Sequence, residues 1–334
     1  MRRVINVTEK GAAAECDGVG KESSARRLLR PICSCLRRTL IECINVFIGH
    51  DFMFRALGWI NRRIPLIKGI FLVYPASKEY AFEYVFQQRL LKVKWDPWPC
   101  GLLLQNGRIV VMFCISATNE DFLNPVNTDN LRKVVKRMDG LGQLFCVERK
   151  TYAGILPGVL YAKRIVSRAP EADLTAAIVV QAIGTVRERR GMVKDVPVVV
   201  LGGRGFIGRR VVSLVGSDNV RSVDLADATG AGGWPSQLQG EPVIVVNITK
   251  KEVLREYVEM IWPGTAVLNE VYPEPTAEIV NALYEKQCDC YHVAGVKAYA
   301  IPPFPGAYRG AIPCCAAWPS PKLEVVIKKM KARE

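Results

Sequence analysis

The sequence predicts an α/β fold in two domains, a smaller α/β domain over residues 69–170 and a parallel-sheet domain over residues 171–300. Three observations predict it. From residue 171 onward, apolar runs of strand length alternate with helix-length segments, the pattern of a parallel α/β sheet. One of those runs, VVVL at 198–201, passes straight into the glycine-rich turn GGRGFIG and then into a helix. In the first half, GLLLQNGRIVVMFC is two apolar runs around Asn106–Gly107, the strongest short hairpin signal. At 334 residues the chain is long enough for both domains to bury a core.

Along the chain, residues 1–25 lack periodicity and read as disordered. Residues 26–68 read as short helices. Ile70 to Tyr74 form a buried strand, and SKEYAFEYVFQQRL reads as the helix after it. NTDNLRKVVKRMDGLG predicts a helix capped by Asn127, Thr128 or Asp129 and stopped near Gly140, with QLFCVE as the next strand. TYAGILPGVLYAKRI mixes small and apolar residues and is expected to bring backbone close to a ligand. EADLTAAIVVQAIGTVRERRGM predicts a long helix, apolar at Ala176, Val179, Val180 and Ile183. VRSVDLAD predicts a strand, ATGAGGWPSQLQGE a flexible link, and PVIVVNITKKE and TAVLNEVYPEP two strand–turn units. Residues 301–334 predict a loop and helices that return to the cleft, ending in a basic helix, PKLEVVIKKMKARE.

Charge is unevenly placed. The net charge is +14, and residues 1–68 hold 13 Lys and Arg against 6 Asp and Glu. Arginines there are interleaved with Leu, Ile, Phe, Trp and Cys. That composition fits an anionic membrane surface better than nucleic acid, and it fits equally a helical extension packed on the main domain. No apolar run reaches the roughly 18 residues of a membrane-spanning helix. Eleven cysteines without zinc-site spacing, in a chain with two histidines and no secretory signal, read as reduced thiols in the cytoplasm, with peripheral membrane attachment as the variant.

The glycine-rich turn carries the most specific chemistry. Gly203 permits the turn, Gly205 lets backbone approach a pyrophosphate, and Gly208 lets helix and strand pack. Arg204, Phe206 and Ile207 complete the loop, whose helix amino terminus favours phosphate charge. Asp224 falls 21 residues after Gly203, where a carboxylate accepts hydrogen bonds from a ribose. The parallel-sheet domain is therefore expected to be Rossmann-type. Asp224 favours NAD(H), because it repels a 2′-phosphate, while Arg204 and Arg221 keep NADP(H) open. A tight βα turn without ligand is the plain alternative.

A nicotinamide enzyme also needs a proton relay or a nucleophile. Cys314 and Cys315, in IPCCAAW, sit after Pro313 at what reads as a helix start, which lowers a thiol pKa. Buried free cysteine is the common case for such a pair. Lys150 is a candidate base or anion binder, Tyr272 follows a predicted strand on the cleft side, and His292 is a weak candidate relay. Each is as readily a packing or solvated residue.

GIFLVYPASKEYAFEYV, QNGRIVVMFCIS, LTAAIVVQAI, GGRGFIG and PCCAAW, in this order, resemble segments of the long-chain acyl-ACP reductases that form fatty aldehydes, in the shikimate-dehydrogenase-like group. The resemblance covers residues 69–320. It implies NAD(P)H-dependent reduction of a long-chain acyl thioester, acyl-ACP or acyl-CoA, to an aldehyde through an acyl-enzyme on Cys314. It also implies that the strand ends at Asn247–Ile248 and TAVLNEVYPEP surround the nicotinamide. The family prefers NADPH, where Asp224 argues for NADH. Two other readings stay open: a non-covalent dehydrogenase of a small hydroxy or amino acid, and a non-catalytic NAD-binding, membrane-associated protein.

Overall fold

The structure, a computed structural model, describes residues 24–75, 81–82, 86–224, 233–249, 251–272, 274–304, 308, 310–321 and 323–332. The expectations for residues 1–23, for 77–80 and 83–85 of the helix after β1, for 225–227 at the end of VRSVDLAD and for 228–232 of the flexible link lie outside them. The elements run α1 Ser24–Phe47, α2 Asp51–Arg63, β1 Ile67–Val73, β2 Trp98–Gln105, β3 Arg108–Cys114, α3 Asn119–Leu123, α4 Thr128–Phe145, β4 Arg149–Tyr152, α5 Leu156–Ala162, α6 Pro170–Arg190, β5 Val198–Leu201, α7 Gly208–Val215, β6 Val220–Val223, β7 Ile244–Asn247, α8 Lys251–Tyr257, β8 Ala266–Asn269, α9 Ala277–Glu285, β9 Asp289–Lys297, β10 Tyr299–Ile301, β11 Ala311–Ile312 and β12 Val325–Lys329. The protein is α/β, with mixed sheets that contain parallel strands. Two units separate: Lys21–Glu171 with Ala298–Ala317, and Ala172–Lys297 with Trp318–Glu334.

The first unit holds a five-stranded sheet in the order β10-β2-β3-β1-β4. β3, β1 and β4 are mutually parallel, and β2–β3 is the expected hairpin. Its turn residues, Asn106 (φ 51°) and Gly107 (φ 73°), both take positive φ, as a two-residue hairpin turn requires. Phe54, Ile70, Leu72, Phe113, Phe122, Met138 and Phe145 form the core. α2 belongs to that core rather than to a detached extension. Its Asn61 donates to the carbonyls of Ile67 (2.9 Å) and Phe145 (3.1 Å) and accepts from Ile67 N–H (2.8 Å). α1 is tied down as well, through Asn45 to the Pro99 carbonyl (2.9 Å). The boundary drawn at residue 68 from charge is thus not a structural boundary, because the buried faces of both helices pack on the sheet.

Two local expectations are corrected here. The 26–68 region is two long helices, not several short ones. QLFCVE is not a strand: Leu131, Val134, Met138, Leu141 and Phe145 continue one buried helical face through Gly140, and α4 ends only at Cys146, which is left-handed (φ 56°). Val147 N–H then bonds the Gly142 carbonyl (2.9 Å). The next strand, β4, starts at Arg149.

In the second unit β6, β5, β7, β8 and β9 lie side by side in that order, each pair parallel, and β12 adds antiparallel to β9. β5 (VVVL), β7 (IVVN) and β8 (AVLN) are buried along their whole length, as expected for strands covered on both faces. α6 is helical as predicted, with Ala176, Val179 and Ile183 buried. The terminal basic helix is a correction: 325–329 is strand β12, and no α-helix occurs among the described residues of 301–334. Val325, Val326 and Ile327 are β-branched and pair with an available strand edge, which outweighs the helical reading of the lysines. Lys329 ion-pairs with Asp289 across that pairing (2.7 Å).

Candidate functional site

In the second unit the chain enters at β5, places β6 on one side, and returns to place β7, β8 and β9 on the other. The direction of winding therefore switches between β5 and β7, and a crevice at strand carboxyl ends lies at such a switch. The glycine-rich turn leaves β5 at this point. Gly202 N–H bonds the Val223 carbonyl (2.8 Å), and Gly205 N–H bonds the Gly202 carbonyl (2.9 Å). Arg209 N–H bonds the Gly205 carbonyl (3.1 Å) as α7 begins. A side chain at Gly208 would meet the Gly202 carbonyl and the Gly203 Cα, so helix and strand come together only with glycine there. A side chain at Gly203 would meet the Ser222 hydroxyl. At Gly205 a Cβ would meet only the Gly202 carbonyl oxygen and carbon within 4 Å, the nearer at 3.0 Å. Gly208 is thus fitted against backbone and Gly203 against Ser222, while the positive φ of the turn falls at Gly202 (84°) rather than at Gly203, the residue to which the sequence reading gave the turn.

Phe206 and Ile207 lead into α7, with Ile207 at its N-cap. Arg210 holds this corner, with its guanidinium 4.4 Å from the Phe206 ring, a hydrogen bond to the Phe206 carbonyl (2.5 Å) and one to Asp173 on α6 (2.7 Å). Asp224 follows β6 and turns toward the loop. Its carboxylate accepts from Arg204 N–H (3.1 and 3.3 Å) and from the Ser222 hydroxyl (2.9 Å). A carboxylate has about four acceptor sites, so this anchoring leaves capacity for a ribose. Arg221 donates to the carbonyls of Asp218 (3.5 Å) and Val220 (3.0 Å), back along its own segment.

At the next strand ends, Leu201, Asn247, Asn269 and His292 are neighbours in register. Asn247 donates to Asn269 Oδ1 (2.8 Å), and Asn269 donates to the Val271 carbonyl (2.6 Å) and to His292 Nδ1 (3.0 Å). All three polar side chains are fully buried. The chain of donors sets the histidine tautomer: Nδ1 accepts, so the proton sits on Nε2. Burial, with help from Lys328, pushes the His292 pKa down to about 4, so the ring is neutral at physiological pH. His292, central in β9 rather than at a strand end, braces the ends of β7 and β8 and is a poor proton relay. Ile248 continues from Asn247, its N–H bonding the Leu201 carbonyl (3.1 Å) and so joining the β7 end to the glycine turn.

Glu270 is the residue that sequence reasoning passed over. It directly follows β8, and its N–H bonds the Asn247 carbonyl (3.0 Å). It keeps some surface, yet its carboxyl is closely enough surrounded by protein that desolvation pushes its pKa up to about 8. The signal was present: an Asn-Glu pair ending the buried run TAVL, at the carboxyl end of a parallel strand. Tyr272, half-buried, lies two residues further along the same loop.

The remaining candidates, Cys314 and Lys150, belong to the first unit. Cys314–Ala316 is a single 3-10 turn, not the start of an α-helix. The helix terminus expected to activate Cys314 is therefore missing. Cys314, the acceptor that the resemblance implies, is 8% exposed, and Cys315 is the more open of the two. Arg149 seats this turn by donating to the Ala317 carbonyl (2.5 Å). Cys315 lies close enough to Tyr74 to raise its pKa, which burial has already raised further. Lys150 does not join them. Alternate residues of a strand face opposite ways, and Lys150 turns to α4, where it ion-pairs with Asp139 (2.6 Å). Arg149, its neighbour, is the cation that meets the cysteine turn.

Among the described residues no group of three or more His, Cys, Asp or Glu is arranged to hold a metal ion, and no helix is long and apolar enough to cross a membrane. No family model matches the chain, and no curated protein matches it.

Proposed function

We propose that the chain is a nicotinamide-dinucleotide-dependent oxidoreductase, with Ala172–Lys297 as a Rossmann-type nucleotide-binding domain. The observation that carries this reading is the Gly202–Gly208 turn. It lies at the switch between β5 and β7, and its third glycine is fitted against backbone. Gly203, Arg204, Gly205, Phe206, Ile207 and Gly208 would hold the pyrophosphate, Asp224 the ribose, and Asn247 and Ile248 the nicotinamide half. Asp224 favours NAD(H) over NADP(H). When bound, the nicotinamide supplies or takes a hydride.

Glu270 manages the proton. With a pKa of about 8 it is protonated at neutral pH and can donate to an oxygen that gains charge as a carbonyl is reduced. The buried Asn247–Asn269–His292 chain keeps the strand ends rigid around it. This supports a non-covalent reduction of a carbonyl group, as in the small-hydroxy-acid reading.

A second reading is favoured by the paired thiols seated beside Arg149 and Tyr74. In it, a cysteine thiolate attacks the carbonyl of an acyl-ACP or acyl-CoA thioester and expels the carrier thiol. A bound dinucleotide would supply the hydride that takes this acyl-enzyme to the aldehyde, and the cysteine sulfur would leave as thiolate. This is the reaction the resemblance to long-chain acyl-ACP reductases implies, with Cys314 as the acceptor.

Titration of the full chain with NADH and NADPH tests the proposal. Saturable binding, tighter for NADH, is the expected result. Binding of neither cofactor would overturn it. Incubation with a labelled long-chain acyl thioester, followed by peptide mapping, separates the two readings: an adduct on Cys314 or Cys315 selects the covalent route.

A further inference from the structure

We infer that α1 and α2 form a docking surface for an anionic lipid bilayer, a role separate from nucleotide binding. Each helix has two apolar sides. On α1, Ile41 and Asn45 face the sheet, and Leu36, Leu40 and Phe47 fall within an arc of about 40° on the opposite side. Leu36 is 64% and Phe47 73% exposed. On α2, Phe54, Gly58 and Asn61 are buried, while Phe52 (69% exposed), Trp59 (54%) and Ile60 occupy the outer face within an arc of about 100°. Single exposed apolar residues are ordinary on a protein surface. Two consecutive helices that each carry a full outer stripe are not.

The charges around these stripes identify the occupant. Residues 24–68 contain nine Arg and Lys and two Asp and Glu. Both carboxylates are already spent in ion pairs, Glu42 with Arg89 (2.7 Å) and Asp51 with Arg137 (2.6 Å). Arg55, Arg62 and Arg63 are exposed and lie on or beside the apolar face of α2. Arg63 stacks its guanidinium 3.8 Å from the Trp59 ring centre, a pairing of amphipathic ring and cation suited to a headgroup layer. A second copy of the chain is a poor occupant, because a two-fold interface would set these arginines against their own copies. A phosphate backbone would satisfy the arginines and leave the Leu, Ile and Phe stripes in water. An anionic bilayer takes both: lipid phosphates meet the arginines, and the apolar stripes sink into the headgroup–acyl boundary with each helix lying in the plane.

Co-sedimentation of the full chain with vesicles tests this, using phosphatidylcholine alone and a phosphatidylcholine–phosphatidylglycerol mixture. The chain should pellet with the mixture, far less with the neutral lipid, and should be released by high salt. Replacing Arg55, Arg62 and Arg63 together with Gln should weaken binding by roughly 10²-fold, from about 1 kcal/mol for each basic residue near the surface. Replacing Phe47, Phe52 and Trp59 together with Ser should abolish it. All six side chains are exposed, so thermal melts of both variants should match the parent. Equal pelleting of parent and variants overturns the inference. So does an absence of binding to either vesicle, or a concentration-dependent dimer that the Ser variant breaks while vesicles stay unbound. None of these outcomes depends on whether the nucleotide binds.

Discussion

The glycine turn at 202–208 and the cysteine turn at 313–317 look alike in sequence, each a short run of small residues beside apolar segments. In the fold they differ. At the glycine turn the motif is a statement about backbone: a Cβ at Gly208 or Gly203 has nowhere to go. Such a requirement is steric, local and readable in one dimension. At the cysteine turn the motif was a statement about environment. It needed an α-helix terminus beside an open thiol. The structure supplies a 3-10 turn and a buried Cys314, with Arg149 donating to the Ala317 carbonyl. Environment comes from residues far apart in sequence, and local pattern does not encode it.

The sharpest way to break this comparison is at Gly208. Gly208→Ala drives a methyl group against the Gly202 carbonyl and the Gly203 Cα, backbone atoms that cannot rotate away. The expected cost is about 1–3 kcal/mol of stability, typical of overpacking, with dinucleotide binding lost. Circular-dichroism melts and cofactor titration measure both. A variant that binds NADH as the parent does would remove the steric reading of the motif.

Glu270 comes next. Glu270→Gln should lower kcat by about 10²-fold or more in a carbonyl reduction, the scale of a general acid. It should also erase a fall in rate as pH rises through about 8. Stability should respond in a matching sense. The folded pKa lies above the unfolded value, so stability is fullest below the unfolded pKa and is lost as pH rises through about 8. Glu270→Gln should therefore raise the melting temperature at alkaline pH and leave it unchanged in acid. An unaltered pH profile would return the proton to another group.

Asp224→Ala should have a smaller, specific effect, lifting NADPH affinity relative to NADH by about 10-fold, or about 1.4 kcal/mol of lost discrimination. A parent that prefers NADPH would show that the carboxylate serves only Arg204 N–H and Ser222. The mildest test concerns the thiols. Alkylation in the native state should modify Cys315 several-fold faster than Cys314, in keeping with their exposure. Faster modification of Cys314 would restore it as the better nucleophile.

What the sequence determined by itself is the part written in short-range rules. The hairpin follows from positive φ at Asn106 and Gly107, β5, β7 and β8 from short apolar runs rich in Val, and the glycine turn from atoms that must approach within contact distance. Tertiary structure decided the rest. A run of lysines after Val325–Ile327 became a strand because β9 offered an edge. α2 joined the first unit because Asn61 and Gly58 fit against α4 and β1, which charge composition cannot register. Glu270 became a candidate acid only because folding surrounds it with protein, for desolvation is a property of the neighbours that a chain gathers in space and not of the residues beside it in sequence.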